Sequence, residues 1–185
     1  MGTRGVYGFR KDGVDKLAYN HFDSNPSCLG ADVVEFAAST RVEDMTDIFN
    51  RIILVDERTK PTAEQIEKCE PWTDLSVSSG SSDDWYCLLR KAQGNLYAYT
   101  QGLDYMGDHG SFIKYSQWCE YGYIINLDEG VLEFWTGFQR KADLDNRYGI
   151  RMLFDYYPCR LVRAFPLSDL SSLTVAQMIE AENDK

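Results

Sequence analysis

Apolar and aromatic residues alternate with polar ones over the first twenty residues of the chain, in two runs on either side of a turn signal. The runs cover residues 4–10 and 14–22, and Lys11-Asp12-Gly13 separates them. Glycine supplies the positive φ that a tight hairpin turn requires, and Asp-Gly is a strong signal for such a turn. The pattern therefore predicts two antiparallel strands joined at this point.

Helical spacing replaces the alternation further along the chain. A short apolar face begins behind Gly30, and a clearer one covers residues 42–56, where apolar residues recur every three or four positions: Val42, Met45, Ile48, Phe49, Ile52 and Ile53. This spacing predicts two helices. Thr62 and Gln65 have the spacing of a capping box, which predicts a third, short helix over residues 63–70.

A serine-rich stretch over residues 74–84 predicts a flexible surface loop within one domain that spans residues 1–185. The run Ser82-Asp83-Asp84 at its end is typical of a helix N-terminus. We expect a helix to follow with Trp85, Leu88, Leu89, Ala92 and Leu96 on it, and to bend or end at Gly94.

The last third of the chain returns to strand patterns. Residues 117–127 and 131–136 flank Asp128-Glu129-Gly130 and predict a second hairpin. A polar stretch over residues 137–149 predicts a loop with a helical turn, and a strand at 159–165 and a helix at 173–181 follow. Strands, then helices, then strands favour an α+β fold, with an antiparallel sheet of about five strands and helices packed on one face.

The charge of the chain limits the classes of molecule that we expect it to bind. The net charge is −10, and residues 41–85 hold eleven acidic residues against five basic ones. This argues against direct nucleic-acid binding, which requires clustered Lys and Arg. The acidic segment could mimic the charge of nucleic acid, dock a basic protein partner or form a solvated helical surface.

The sequence also predicts the cellular compartment of the protein. We expect a cytoplasmic protein without membrane contact, because no apolar run has the length of a signal peptide or a membrane span. The five cysteines contain no C-x-x-C pair, which favours reduced thiols over a disulfide framework or a zinc ribbon.

The densest group of chemically useful side chains lies over residues 19–30, where a strand should end and a helix begin. On an extended strand His21 and Asp23 would face one side and Ser24 the other. This favours His21 and Asp23 as a general-base pair over a Ser-His-Asp relay. The residues expected to bind a ligand around this pair are Arg4, Tyr19, Asn20, Ser24, Asn25 and His109.

Three other interpretations of this segment stay open. His21 and Asp23 could join Asp108 and His109 in a divalent metal site, although their spacing is not a metal signature. Cys28 could act as a nucleophile with His21 as its base. The third interpretation is structural, with Asp, Ser and Asn side chains bonded to nearby backbone. The chain contains no nucleotide-binding or metalloprotease motif, so no metal site is predicted and the cofactor is left unknown.

Two family resemblances add to this picture. Residues 2–10, the run Tyr19-Asn20-His21-Phe22-Asp23-Ser24, then Pro26 and Leu29-Gly30, resemble a family of uncharacterised proteins from bacteria, their phages and fungi. The segment Cys119–Asp128, with Leu132-Glu133, is similar to later strands of that family. The resemblance covers most of the chain and implies no established activity. Asn25 stands where the family motif has an aromatic residue.

A weaker resemblance is to N-terminal-nucleophile hydrolases. Their chains also open with a nucleophile-bearing strand, an Asp-Gly turn and a second strand that ends in an Asn and Asp motif. Gly2 stands here where those enzymes carry Cys. The resemblance therefore implies a related fold without the nucleophile.

These observations lead to two functional hypotheses. The first is a cytosolic ligand-binding or protein-interaction protein with a polar site at residues 19–30; a phage-borne effector of host processes is one form of it. Its partner would be a small molecule, or a protein that docks on the acidic 41–85 segment. The alternative is a hydrolase that acts on a small amide or nucleotide-like ligand, with His21 and Asp23 as the base pair.

Overall fold

A five-stranded sheet forms the centre of the computed structural model, which describes residues 2–183. The strands of the molecule are β1 (Gly5–Lys11), β2 (Val14–Asn20), β3 (Ile53–Val55), β4 (Tyr105–Gly107), β5 (Tyr121–Asn126), β6 (Val131–Thr136) and β7 (Arg160–Pro166). The large sheet has the order β2-β1-β5-β6-β7, and all of its neighbours are antiparallel except β1 and β5. The predicted α+β class and the five-stranded, mostly antiparallel sheet are confirmed.

The parallel contact between β1 and β5 is the feature of the sheet that the strand patterns did not predict. Gly5 pairs with Tyr121 and Arg10 with Asn126. Parallel neighbours need a long crossover connection, and here that connection carries β2 and all the central helices. The strand that starts the chain therefore lies in the middle of the sheet.

Both predicted hairpins are present, and one carboxylate ties their turns together. Asp12 and Gly13 are left-handed, with φ of 52° and 73°. Their N–H groups donate to the carboxylate of Asp128, at 2.7 and 3.0 Å, in the turn of the second hairpin. The two turns therefore close side by side at one end of the sheet.

Five α-helices accompany the sheet in the described part of the chain: α1 (Ala31–Ser39), α2 (Val42–Arg51), α3 (Ala63–Cys69), α4 (Trp85–Leu88) and α5 (Ser172–Asn183). The capping box that begins α3 is confirmed, since the N–H of Thr62 donates to Gln65 Oε1 at 2.8 Å and that of Gln65 to Thr62 Oγ1 at 3.3 Å. Asp84 accepts from the N–H of Tyr86 at 2.9 Å and so caps α4, as its sequence predicts.

Two predicted helices are wrong in length. The helix predicted over 42–56 ends at Arg51, because Ile53 donates its N–H to Asp104 and continues as β3 beside β4. The helix predicted after Asp84 is the single turn α4, followed by 3₁₀ turns. Gly94, with a φ of 80°, lies between the 3₁₀ turns Arg90–Ala92 and Leu96–Gln101.

The two faces of the sheet are covered differently. On one face Tyr7, Phe9 and Phe134 are buried in the larger core, which contains residues from α1, α2, α4 and α5. On the other face Val6 and Trp135 are buried in a smaller core under the 3₁₀ turn Phe112–Lys114 and loop residues. The helical turn predicted within residues 137–149 is wrong, because this segment contains no helix.

Loop residues 74–84 contain no helix or strand. Backbone hydrogen bonds are nevertheless present in the segment. The N–H of Asp74 donates to the carbonyl of Cys87 at 2.9 Å, and the N–H of Gly80 donates to the carbonyl of Val77 at 3.0 Å. Within residues 2–183, no helix is both long enough and apolar enough to cross a membrane.

Candidate functional site

A cleft of about 340 Å³ opens beside the end of β2. We call it the aromatic cleft, and it is lined by Arg4, Tyr19, Glu57, Tyr86, His109, Phe112 and Trp118. A recess of about 30 Å³ lies behind it and shares four of these residues. A recess of this volume holds roughly one or two water molecules.

Three strand ends bring the polar residues of the cleft together. Tyr19 lies near the end of β2, Glu57 follows β3 and His109 follows β4. The N–H of His109 donates to the carbonyl of Leu17 at 3.0 Å, which fixes the end of β4 against β2. Arg4 directly precedes β1, the neighbour of β2 in the sheet.

His109 and Glu57 form a polar pair on the cleft wall. His109 Nε2 lies 3.4 Å from Glu57 Oε2, and Nδ1 lies 3.2 Å from the carbonyl oxygen of Gly107. The Nδ1 contact is within hydrogen-bond distance, whereas the Nε2–Glu57 contact is an ion pair only when the imidazole is protonated. A Cβ on Gly107 would lie 2.9 Å from His109 Cε1 and 3.2 Å from Glu57 Oε1, so a larger residue there would displace this pair.

Tyr19 stands between the two histidines. Its hydroxyl lies 2.7 Å from His21 Nδ1, and its ring centroid lies 5.6 Å from that of His109. Burial lowers the pKa of His21, and the positive charges of Arg4 and Arg90 lower it further. Burial also raises the pKa of Tyr19, against the opposing effect of Arg4. His21 and Tyr19 therefore form a neutral hydrogen-bonded pair at neutral pH.

Arg4 contributes a positive charge to the cleft. Its guanidinium makes no hydrogen bond or ion pair with any residue that the structure describes. Its charge nevertheless acts on both His21 and Tyr19. Among the described residues that line the cleft, Glu57 alone carries a carboxylate, and it lies against His109.

Tyr99 and Gln93 are two polar residues that line the recess. The Tyr99 side chain is only 2% exposed, and its hydroxyl has no hydrogen-bond partner among residues 2–183. Gln93 accepts from the His21 N–H at 3.3 Å and from Arg90 Nη1 at 3.0 Å, but its amide NH₂ donates to no described residue. Gln93 is only partly buried, and the buried side-chain atoms that lack a hydrogen-bond partner among residues 2–183 are Thr3 Oγ1 and Trp85 Nε1.

Three of the predicted ligand-binding residues hold the 19–30 segment together instead of lining the cleft. Asn20 Nδ2 donates to the Phe22 carbonyl at 2.5 Å and to Ser24 Oγ at 2.8 Å. Ser24 is fully buried, and Asn25 Oδ1 accepts from the N–H of Ser27 at 3.1 Å. From the predicted set, the structure brings Arg4, Tyr19 and His109 to the cleft.

The predicted pairing of His21 with Asp23 is not assembled. β2 ends at Asn20, and Asp23 is left-handed with a φ of 53°, so the alternation of an extended strand does not apply to these residues. Asp23 is exposed, and no hydrogen bond or ion pair joins it to His21 in the described part of the chain. Tyr19 takes the place beside His21 that Asp23 was expected to fill.

The metal and cysteine alternatives gain no support from the geometry. Among residues 2–183, no group of three or more His, Cys, Asp or Glu side chains could hold a metal ion. Cys28 is exposed in the single π-helical turn Pro26–Gly30, and no described base lies against its thiol.

Several cleft and recess residues were not predicted: Glu57, Tyr86, Gln93, Tyr99, Phe112 and Trp118. They come from separate segments, and none belongs to a local motif that marks a site. Comparison of the chain with protein families, characterised proteins and solved structures finds no match. The geometry of the aromatic cleft is therefore the basis for a functional assignment.

Proposed function

We propose that this chain is a small-molecule-binding protein, and that its ligand joins an anionic group to a planar ring. One observation carries the proposal: the unpaired guanidinium of Arg4 lies on a cleft whose remaining wall is largely aromatic. The volume of about 340 Å³ is within the usual range for small-molecule sites.

The anionic group follows from the chemistry of Arg4. A guanidinium presents a planar set of donors that matches a carboxylate or a phosphate, often through two parallel hydrogen bonds. Five other arginines bond carboxylates of the protein, as Arg10 does with Asp15 at 2.8 Å and Arg51 with Asp104 at 2.7 Å. Arg151 and Arg160, like Arg4, bond no described residue through the guanidinium, but only Arg4 lines the aromatic cleft. Arg4 has no such partner, so it is available to an anion from solution.

The planar ring follows from the rest of the wall. The aromatic side chains are Tyr19, Tyr86, Phe112 and Trp118, and aromatic faces favour stacked or edge-on contacts with another ring. Glu57 would repel a ligand that is only anionic. It favours a ligand that also carries an N–H or hydroxyl donor, as nucleotides and amino acids do.

The geometry supports binding over hydrolysis. A general base must reach the proton that it removes, but His21 Nδ1 is bonded to the Tyr19 hydroxyl and Asp23 is not beside it. Docking through the acidic 41–85 segment also receives less support. Several of its carboxylates already face bases of the same segment, as in the pairs Arg41–Asp44, Arg58–Asp56 and Lys68–Glu64.

A thermal-shift screen tests the proposal. Wild type, Arg4→Gln and Arg41→Gln are melted with nucleotides, aromatic amino acids and aryl carboxylates; Arg41 is the control, an exposed arginine outside the cleft. A ligand at 100 times its Kd should stabilise wild type by about 2.7 kcal/mol, or roughly 5–10 °C in Tm. We expect this shift in Arg41→Gln but not in Arg4→Gln. An equal shift in all three proteins, or none in wild type, would overturn the proposal.

A further inference from the structure

A strained two-residue turn lies next to the aromatic cleft. The N–H of Leu153 donates to the carbonyl of Tyr156 at 2.8 Å, and the N–H of Tyr156 donates back at 3.1 Å. The two residues between them, Phe154 and Asp155, have φ of 51° and 65°. Two consecutive left-handed residues form a type I′ turn, which favours Asn-Gly because a bulky residue with positive φ is strained.

Burial does not explain the phenylalanine in this turn. The Phe154 side chain is 60% exposed, so it contributes little apolar burial to the fold. Its closest ring contact is with Trp118, edge-on, with the centroids 4.6 Å apart and the planes at 65°. Trp118 is one of the aromatic walls of the cleft.

We propose that Phe154 is a positioning residue of the aromatic cleft, which holds the Trp118 indole in place as a stacking wall for the ligand. The turn holds Phe154 at a positive φ, and in this conformation its ring lies against Trp118. Strained backbone persists where the surrounding structure enforces it, and it is concentrated at functional sites. This inference rests on the proposed ligand site and adds the feature that selects for a planar ligand.

The chain supplies a matched control. Phe138 is also left-handed, with a φ of 56°, and its side chain is 51% exposed. Its ring contacts Tyr156, with centroids 5.9 Å apart, and makes no ring contact with Trp118. Phe138→Gly therefore makes the same chemical change as Phe154→Gly at a site that does not position the indole.

The first measurement needs no ligand. Of the four tryptophans, Trp72, Trp85 and Trp135 are buried, whereas Trp118 is partly exposed. Acrylamide quenching of the intrinsic fluorescence therefore reports mainly on Trp118. We expect a larger quenching constant in Phe154→Gly, and the wild-type constant in Phe138→Gly, Asp155→Gly and the ring-preserving Phe154→Tyr. An unchanged constant in Phe154→Gly would overturn the positioning role.

Thermal melting shows whether a loss of folding causes any change. Glycine relieves a positive φ, so all three glycine variants should melt no lower than wild type. A Tm for Phe154→Gly that falls below that of Phe138→Gly would show that Phe154 stabilises the fold. That result would contradict the inference.

The second measurement uses 1-anilinonaphthalene-8-sulfonate, which joins a sulfonate to two ring systems. Its Kd should rise roughly two- to tenfold in Phe154→Gly, the change expected on loss of one aromatic contact. Phe154→Tyr, Phe138→Gly and Asp155→Gly should bind as wild type does. Equal binding by wild type and Phe154→Gly would overturn the inference. Equal binding by wild type and Arg4→Gln would instead overturn the proposed function, and the quenching result would still decide the role of Phe154.

Discussion

Two arginines in this protein lie in opposite kinds of environment. Arg147 donates to both oxygens of Glu133, at 2.7 and 2.6 Å, and its guanidinium lies 4.6 Å from the Trp135 ring centroid. Arg4 borders the aromatic cleft and bonds no residue that the structure describes. The difference separates a guanidinium whose hydrogen bonds are made within the fold from one that bonds no described residue.

The environment of Glu133 shows how complete the first arrangement is. Burial opposes its ionisation, but hydrogen bonds from Arg147 and Asn126 bring its pKa below the usual value of 4.5. Trp135 Nε1 also donates to it at 2.9 Å. The network attaches the irregular segment after β6 to the sheet. The buried charge of Glu133 is therefore explained by protein contacts alone, and no ligand is needed to balance it.

Of the substitutions that test this comparison, Arg147→Met should have the largest effect on the free energy of unfolding. The substitution leaves Glu133, which is 2% exposed, without its counter-ion. Removal of one partner of a buried ion pair costs about 3–5 kcal/mol. We expect a loss of this size in the free energy of unfolding in urea, against a small change in the exposed control Arg140→Met. A loss below about 1 kcal/mol would show that the pair is not structural.

The same variant should change the acid dependence of stability. Because the folded-state pKa of Glu133 is lowered, its contribution is complete above the unfolded value of 4.5 and is lost as the pH falls through the lower folded value. In Arg147→Met this pKa is no longer held down, so the loss of stability below pH 4.5 should be shallower. Urea unfolding from pH 6 to pH 3 checks this, and parallel curves for the two proteins would contradict it.

A smaller effect is expected from Asn20→Ala. Asn20 is 7% exposed and supplies the hydrogen bonds of the Phe22 carbonyl and Ser24 Oγ. Buried groups left without partners cost about 1–3 kcal/mol. We expect lower stability with an unchanged Kd for any ligand of the cleft. If the Kd rises while stability is kept, Asn20 belongs to the binding site after all.

The smallest effect on stability should come from Arg4→Gln, which we expect to alter the free energy of unfolding by less than about 0.5 kcal/mol. The variant should nevertheless raise the pKa of His21, because the Arg4 charge is one of the causes that lower it. Burial is the larger cause, so the pKa should stay below 6.5. An NMR titration of the His21 ring measures it. An unchanged pKa would place the guanidinium away from His21.

Local signals identified much of the fold. Asp12-Gly13 predicts the first hairpin and Thr62 with Gln65 predicts the start of α3, because both depend on backbone geometry within four residues. The apolar period over 42–56 fails at Ile53, whose partner Asp104 is distant in sequence. A periodic pattern cannot distinguish the last turn of a helix from a short strand when a remote segment decides between them.

The candidate site was likewise predictable only in part from the sequence. The sequence by itself selected Arg4, Tyr19, His21 and His109 as site candidates, together with Asn20, Asp23, Ser24 and Asn25, because residue type alone shows which side chains carry useful chemistry. Only the tertiary structure paired β1 with β5, brought β3 and β4 to the end of β2, and set Glu57 and Trp118 beside Arg4. The sequence also could not show that Asn20 and Asn25 are bonded within their own loop while Arg4 is not. Whether a polar side chain is satisfied depends on neighbours that only the folded chain brings close.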